Sequence, residues 1–167
     1  AVRGYRFSRG WADNQKVFFY AEFSKPFLNI EVIQKEKKIW ENEYKKMDIY
    51  ARADFQTTEG EQIMMKVGIS PASMEGAQAN MASEMPEWDF EGTVEKAQEL
   101  WNKELSRIKI ETADENVRKI FYTALYHTMI APSEFCDCDG SYRGADGEVH
   151  DNPGYKTHTT YSLWDTY

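Results

Sequence analysis

The sequence predicts an α+β chain, antiparallel sheet first and helices after it. Three observations carry this. Apolar and polar residues alternate with period two through the first seventy positions. The period changes to that of an amphipathic helix at Ser70-Pro71. Turn-forming residues then dominate from Pro132 onward.

The first alternating run covers residues 16–23. Val17, Phe19, Ala21 and Phe23 share one face, and Phe18, Tyr20 and Glu22 take the other. Lys25-Pro26 interrupts it; Leu28, Ile30 and Val32 then alternate with Phe27, Asn29 and Glu31, and a charged connector is expected over 35–43. Met47, Ile49, Ala51 and Ala53 alternate with Lys46, Asp48, Tyr50 and Arg52. After the turn-like Thr57-Thr58-Glu59-Gly60, Ile63, Met65, Val67 and Ile69 repeat the pattern. Runs joined by short polar turns read as a meander or one part of a sandwich. Met64, Met65 and Met74 are read as core filling.

Ser70 as N-cap and Pro71 as first helical residue predict a helix start. Met74, Ala77 and Met81 share its inner face, and Pro86 ends it. A second helix is expected after Asp89, with Val94, Ala97, Trp101, Leu105 and Ile108 as its apolar stripe. A short strand is expected at 108–111. Thr112-Ala113-Asp114-Glu115 has capping-box spacing and opens a third helix reaching about Ile130. That helix is apolar on two sides: Val117, Ile120, Phe121, Ala124 and Leu125 on one, Tyr122, Tyr126 and Met129 on another. Such a helix packs on more than one side, as in a helical barrel or bundle. His127, within it, is read as a packed core histidine. The long turn-rich segment after Pro132 is of a kind that usually has a function. The changeover from sheet to an all-helical unit is placed between Ser70 and Asp114.

Composition narrows the partners. With 20 Lys+Arg against 28 Asp+Glu the net charge is -8, a field that repels phosphate backbones and anionic lipid surfaces. Nucleic acid and membrane are therefore disfavoured, and no apolar run approaches the roughly 20 residues that cross a bilayer. Neutral sugars meet no such repulsion. Cys136 and Cys138 stand one residue apart, where a bridge would be strained, and are read as reduced thiols. Zinc held by them with His150 and His158 matches no standard spacing. Both ends, Ala1-Val2 and the aromatic run closing at Tyr167, read as cuts, so the chain is expected to be a piece of a longer protein.

An ordered succession of motifs resembles glycoside hydrolase family 92. They are Lys66-Val67-Gly68-Ile69-Ser70, Pro86-Glu87-Trp88-Asp89-Phe90, Trp101-Asn102-Lys103-Glu104-Leu105 and the run from Ile120 to Met129, followed by Tyr142-Arg143-Gly144-Ala145-Asp146-Gly147 and the closing Ser162-Leu163-Trp164-Asp165-Thr166-Tyr167. The family comprises calcium-dependent, exo-acting α-mannosidases, many α-1,2-specific, that invert at the anomeric carbon. The resemblance implies an antiparallel β-sandwich portion at 1–70, a helical linker at 71–111, and the first helix and loop of a catalytic (α/α)6 barrel at 112–167. It also implies export to the periplasm.

Trp164 and Asp165, in the family's Trp-Asp-Thr motif, are the expected substrate-binding residues. An indole face packs on sugar C–H groups, and a carboxylate accepts two hydroxyl hydrogen bonds. The bland alternative is a core aromatic followed by a helix cap. No catalytic acid or base is assigned: the resemblance places both beyond Tyr167. Tyr142, Arg143 and Asp146 would shape the entrance, or Arg143 and Asp146 would pair to stabilise a turn, the preferred reading. Asp137, Asp139, Ser141 and Glu148 approximate a calcium loop, but Tyr142 stands where that loop needs glycine. The resemblance implies calcium in the whole enzyme, held largely by groups outside this chain, so none is expected in this chain. The expected partners are mannose-containing glycans. A second reading makes the chain a carbohydrate-binding module built on sheet aromatics such as Trp40 or Tyr50. In either case Tyr122, Tyr126 and Leu163, lacking their neighbours, would promote self-association.

Overall fold

The computed structural model describes residues 1–9, 15–37, 46–152 and 154–159. In chain order the elements are β1 (Val2–Ser8), β2 (Gln15–Phe23), β3 (Asn29–Lys37), β4 (Lys46–Asp54), β5 (Met65–Ser70), α1 (Met74–Glu84), α2 (Phe90–Leu105), α3 (Glu115–His127), β6 (Tyr142–Arg143) and β7 (Val149–His150). They form two compact units, one of Ala1–Glu22 with Lys66–Tyr167, the other of Phe23–Met65. Among the described residues no helix is long and apolar enough to cross a membrane.

The smaller unit is an antiparallel hairpin. β3 and β4 pair from Asn29↔Asp54 to Lys37↔Lys46. Lys35, Glu36 and Lys37, expected in the charged connector, instead continue β3 opposite Asp48, Met47 and Lys46. Backbone pairing outweighs their low strand propensity. Arg52 lies across from Glu31 and reaches its carboxylate at 3.1 Å, a cross-strand pair. Phe23, Phe27 and Phe55 cluster with ring centroids 5.4 to 6.4 Å apart at steep angles. Ser24 and Met64 close the unit by exchanging two hydrogen bonds of 2.9 Å.

In the larger unit β2 lies between β1 and β5. β1 pairs antiparallel with β2 from Val2↔Ala21 to Ser8↔Gln15. In β5, Gly68 and Ser70 are buried while Met65, Val67 and Ile69 point to solvent. Met65 is 58% exposed and so is not core filling as expected. The reason is steric. A Cβ on Gly68 would collide with the Ala77 carbonyl and with Met81 Cβ, so the small face of β5 is the one that admits α1. Ala77 and Met81 are buried there, and Met74 is half-buried beside them.

The cap of α1 lies three residues beyond its expected place. Ser73 is the N-cap, its side chain accepting from Gly76 N at 2.9 Å. Ser70 uses the same chemistry one turn earlier, its hydroxyl accepting from Ala72 N and Ser73 N. α2 starts at the expected Asp89 cap. α3 is capped by Asp114 instead of Thr112: the carboxylate accepts from Asn116 N and Val117 N, and Thr112 Oγ1 accepts from Asp114 N. A charged acceptor at a helix N-terminus is favoured over a hydroxyl. The helix stops at His127, short of Ile130, where Thr128 Oγ1 donates to Leu125 O. No strand forms over 108–111; Ile108 O accepts from Tyr122 Oη instead. The α2 and α3 stripes meet at Trp101 and Tyr126, whose ring centroids are 4.6 Å apart. His127 is exposed, not packed as expected: in the last turn of α3, among the described residues its ring meets only the edge of Tyr126, at 5.8 Å between centroids.

Candidate functional site

The segment from 133 to 159 is built from short backbone ladders and polar tethers. Its two ends run side by side: Phe135 N donates to Thr157 O at 2.8 Å, Thr159 N donates to Ser133 O at 2.9 Å, and Glu134 bridges His158. Thr157 Oγ1 adds a bond to Phe135 O, and Lys156 Nζ lies 2.6 Å from Glu134 Oε1. A tight turn follows, with Gly140 at φ +88° and Asp139 accepting from Ser141 N at 2.9 Å. Then β6 and β7 form a small hairpin, Tyr142↔His150 and Arg143↔Val149.

Arg143 does not pair with Asp146 as expected. Its guanidinium donates to Pro71 O at 2.8 Å, to Gly147 O at 2.6 Å and to Ala72 O at 3.4 Å, and it lies 6.0 Å from the Phe18 ring centroid. Arginine's fixed fork suits several carbonyls at once, so it ties the hairpin to the entry of α1. Asp146 instead accepts from Glu148 N at 3.0 Å and faces His150 Nε2 at 2.9 Å. Its carboxyl is held below the usual range, chiefly by the Glu148 N–H and secondarily by His150. Tyr142 stacks on His150 at 5.3 Å.

Asp137 is the buried acid of this segment, 4% exposed. Its Oδ2 accepts from Ser70 Oγ at 2.6 Å and its Oδ1 from Asn80 Nδ2 at 2.8 Å. Asn80 Nδ2 also donates to Ile69 O, while its Oδ1 accepts from Cys138 N at 2.7 Å. The strand end, α1 and the long segment thus meet at one polar hub. The hub was not legible in the sequence, because its members lie 57 and 67 positions apart. The one trace is Gly76, where a Cβ would strike the Asp137 carboxylate.

Both Asp137 oxygens are taken, Asp139 serves its own turn, and Glu148 contributes a backbone N–H to Asp146. Among the described residues no three His, Cys, Asp or Glu side chains gather as metal ligands. Cys136 and Cys138 are free thiols. One concavity, about 630 Å³, is lined by α3 alone, from Glu115 to Tyr126. It is the open flank of one helix, without convergent chemistry.

Comparison with known proteins gives this arrangement its context. The glycosyl hydrolase family 92 N-terminal domain matches residues 1–70, and the family's catalytic domain matches residues 76–167. The chain belongs to glycoside hydrolase family 92. A family GH92 α-mannosidase from Bacteroides thetaiotaomicron superposes with a TM-score of 0.84 at 32% identity, over 98% of this chain and 23% of that one. Its complex with mannoimidazole gives 0.83 at 32% identity, over 98% and 22%. An inverting family GH92 mannosidase from Bacteroides thetaiotaomicron VPI-5482 gives 0.75 at 26%, over 96% and 22%. The chain thus spans under a quarter of the length of these relatives. No protein with a curated description matches it.

The two family 92 positions expected to bind substrate, Trp164 and Asp165, lie outside the described residues, as do Leu163 and Trp40. The described segment leads directly toward them: Thr159, bonded to Ser133, is followed in the chain by residues 160–167. Of the expected entrance residues, Tyr142, Arg143 and Asp146 are brought together in the β6–β7 hairpin, in structural roles. Tyr50, named for the second reading, lies in β4 opposite Ile33.

Proposed function

We propose that this chain is part of an exo-acting α-mannosidase that releases mannose from α-mannosides, α-1,2-linked ones above all, with inversion. The superposition on the Bacteroides mannosidase, also known with mannoimidazole, carries this reading. Residues 1–70 supply part of an N-terminal β-sandwich, 71–111 a helical linker, and 112–167 the first helix and loop of an (α/α)6 barrel. Trp164 and Asp165 hold mannose, the indole against a ring face and the carboxylate on hydroxyls.

Inversion needs a general acid at the leaving oxygen and a base activating water from the opposite ring face, about 6.5–9.5 Å apart. In this reading both carboxylates belong to parent sequence after Tyr167, so the 167 residues alone are inactive. Calcium, which the family resemblance implies, would likewise be held by groups outside this chain. Asp137, Asp139 and Asp146 each accept hydrogen bonds from donors within the chain, and no step is assigned to the metal. The substrate is met in the periplasm or outside the cell. Mannose-containing glycans are its partners, and isolated apolar faces drive self-association of the 167-residue piece.

The test is hydrolysis of α-1,2-mannobiose by the whole parent protein, with and without a calcium chelator, followed by proton NMR of the first product formed. The expected result is β-mannose, suppressed by chelation, and no turnover by the 167-residue chain. First-formed α-mannose would overturn inversion. Activity in the short chain would overturn the placement of the acid and base.

A further inference from the structure

The join between the two family domains is short. The N-terminal match ends at Ser70 and the catalytic match begins at Gly76, leaving residues 71–75 between them. Domains joined in this way ordinarily move against each other, a few linker residues absorbing the change in φ and ψ. Here every backbone N–H and C=O from 71 to 73 is hydrogen-bonded. Pro71 carries no N–H, and its carbonyl accepts from Arg143 Nε at 2.8 Å. Ala72 N donates to Ser70 Oγ at 2.9 Å, and Ala72 O accepts from Arg143 Nη2 at 3.4 Å. Ser73 N donates to Ser70 Oγ at 3.1 Å, and Ser73 O accepts from Ala77 N at 3.1 Å. Turning any of these residues costs hydrogen bonds.

The groups that hold the linker are themselves fixed from the catalytic side. Ser70 Oγ accepts two linker bonds, so its own hydrogen is directed to Asp137 Oδ2 at 2.6 Å. Asp137, buried, is held at Oδ1 by Asn80 Nδ2, which also reaches back to Ile69 O. Such a network, with each member engaged, specifies one geometry. Arg143 is anchored on Gly147 O at 2.6 Å and lies 6.0 Å from the ring centroid of Phe18 on β2. Space is as constrained as bonding: a Cβ on Gly76 would strike both the Asp137 carboxylate and Ser70 Oγ. We infer that residues 71–73 form a latched joint and not a hinge. Asp137 and Arg143 are the latch, fastening the end of β5 to α1 and to the β6–β7 hairpin, so that the β1–β2–β5 sheet and the start of the catalytic domain move as one body. Any opening that admits substrate to the parent then takes place elsewhere in it. The latch holds whatever sugar the parent cleaves.

The test is hydrogen–deuterium exchange on the whole parent protein, as wild type, Asp137→Asn, Arg143→Met and Tyr126→Ala. The quantity read is the exchange rate at Ala72 and Ser73 relative to that in β2, the central strand, which cancels changes in global stability. In wild type the joint is expected to exchange within about tenfold of β2. Asp137→Asn sets an NH2 against one of two donors, and Arg143→Met releases the carbonyls of Pro71 and Ala72. Each should raise the relative rate about 10- to 100-fold, the effect of losing a hydrogen bond to a charged group. Tyr126→Ala removes the ring contact between α2 and α3, away from the joint, and should leave the relative rate as in wild type. Where Asp137→Asn does not fold, Arg143→Met, whose partner carbonyls can turn to water, carries the comparison. A wild-type joint that exchanges faster than that tenfold margin opens locally and overturns the latch. Latch variants that keep the wild-type relative rate, or a Tyr126→Ala that raises it equally, overturn the role of Asp137 and Arg143.

Discussion

Two exposed carboxylates in the 133–159 segment are kept ionised by backbone they themselves organise. Asp139 is held below its ordinary 3.8 mainly by the Ser141 N–H, and Asp146 mainly by the Glu148 N–H. A carboxyl lowered in the folded state adds stability above its unfolded pKa, and that stability disappears as pH falls through the folded value. The urea midpoint should therefore drop on going from pH 5 to below pH 4. Asp139→Asn and Asp146→Asn should each flatten that acid limb while changing the pH 7 midpoint less. A variant whose acid limb matches wild type would show that its carboxylate contributes nothing there. In sequence these acids were legible as turn residues, since Asp, Gly and Ser at such spacing build turns. The partners of Arg143 were not legible. An arginine reads as a charge seeking a charge, and here it satisfies carbonyls of Pro71 and Ala72 more than seventy positions away.

At the scale of elements, the sequence places β2 to β5 and the three helices, because strong periodicity reports local backbone. It misplaces their ends where two cap chemistries compete, as at Ser70 against Ser73 and Thr112 against Asp114. It is also silent on which face of β5 is covered. Apolar alternation marks Met65, Val67 and Ile69, whereas α1 packs on the glycine face. Lys66 on the covered side reaches Met85 O and Pro86 O and lies 4.4 Å from the Trp88 ring centroid, so two family motifs meet in one clamp. The close approach at Gly68 leads to a prediction. Ala in a strand is ordinarily better than Gly by about 0.5–1 kcal/mol. At Gly68 the added methyl strikes backbone, the Ala77 carbonyl, which cannot swing aside. Gly68→Ala should therefore destabilise by about 1–3 kcal/mol, as overpacking does. Gly4→Ala meets the Phe19 ring at 2.9 Å, a side chain that can shift, and should lose less. Equal urea midpoints for the two variants would contradict α1 resting on β5 at this point.

For the molecule as a whole, the deciding feature is how little apolar matter is enclosed. Among the described residues the buried hydrophobics are Ala21, Ala77 and Met81. Domains of this length normally enclose Leu, Ile and Phe as well. Here Ile69 stands 64% exposed on the outer face of β5, and Leu100 and Ile120 stand 65% and 69% exposed on α2 and α3. Helices with apolar residues on two sides and a sheet with apolar residues on its free face need cover on both. Sequence pattern announced the helical need, through the two-sided stripe of α3, but not what fulfils it. Stable association takes about 800 Å² from each partner, and at roughly 25 cal/mol per Å² of apolar surface these residues supply a driving force for it. The 167-residue chain alone should therefore scatter light as a dimer or larger species at tens of micromolar. Ile69→Lys and Ile120→Lys should each shift it toward the monomer, and the double variant furthest, since a lysine at a contact face must be desolvated for the contact to form. The same substitutions in the parent should lower its melting temperature, because there the faces would be covered from within. A wild-type chain that remains monomeric at that concentration would mean that the exposed side chains find cover within the chain, and would remove the argument that these faces await a partner.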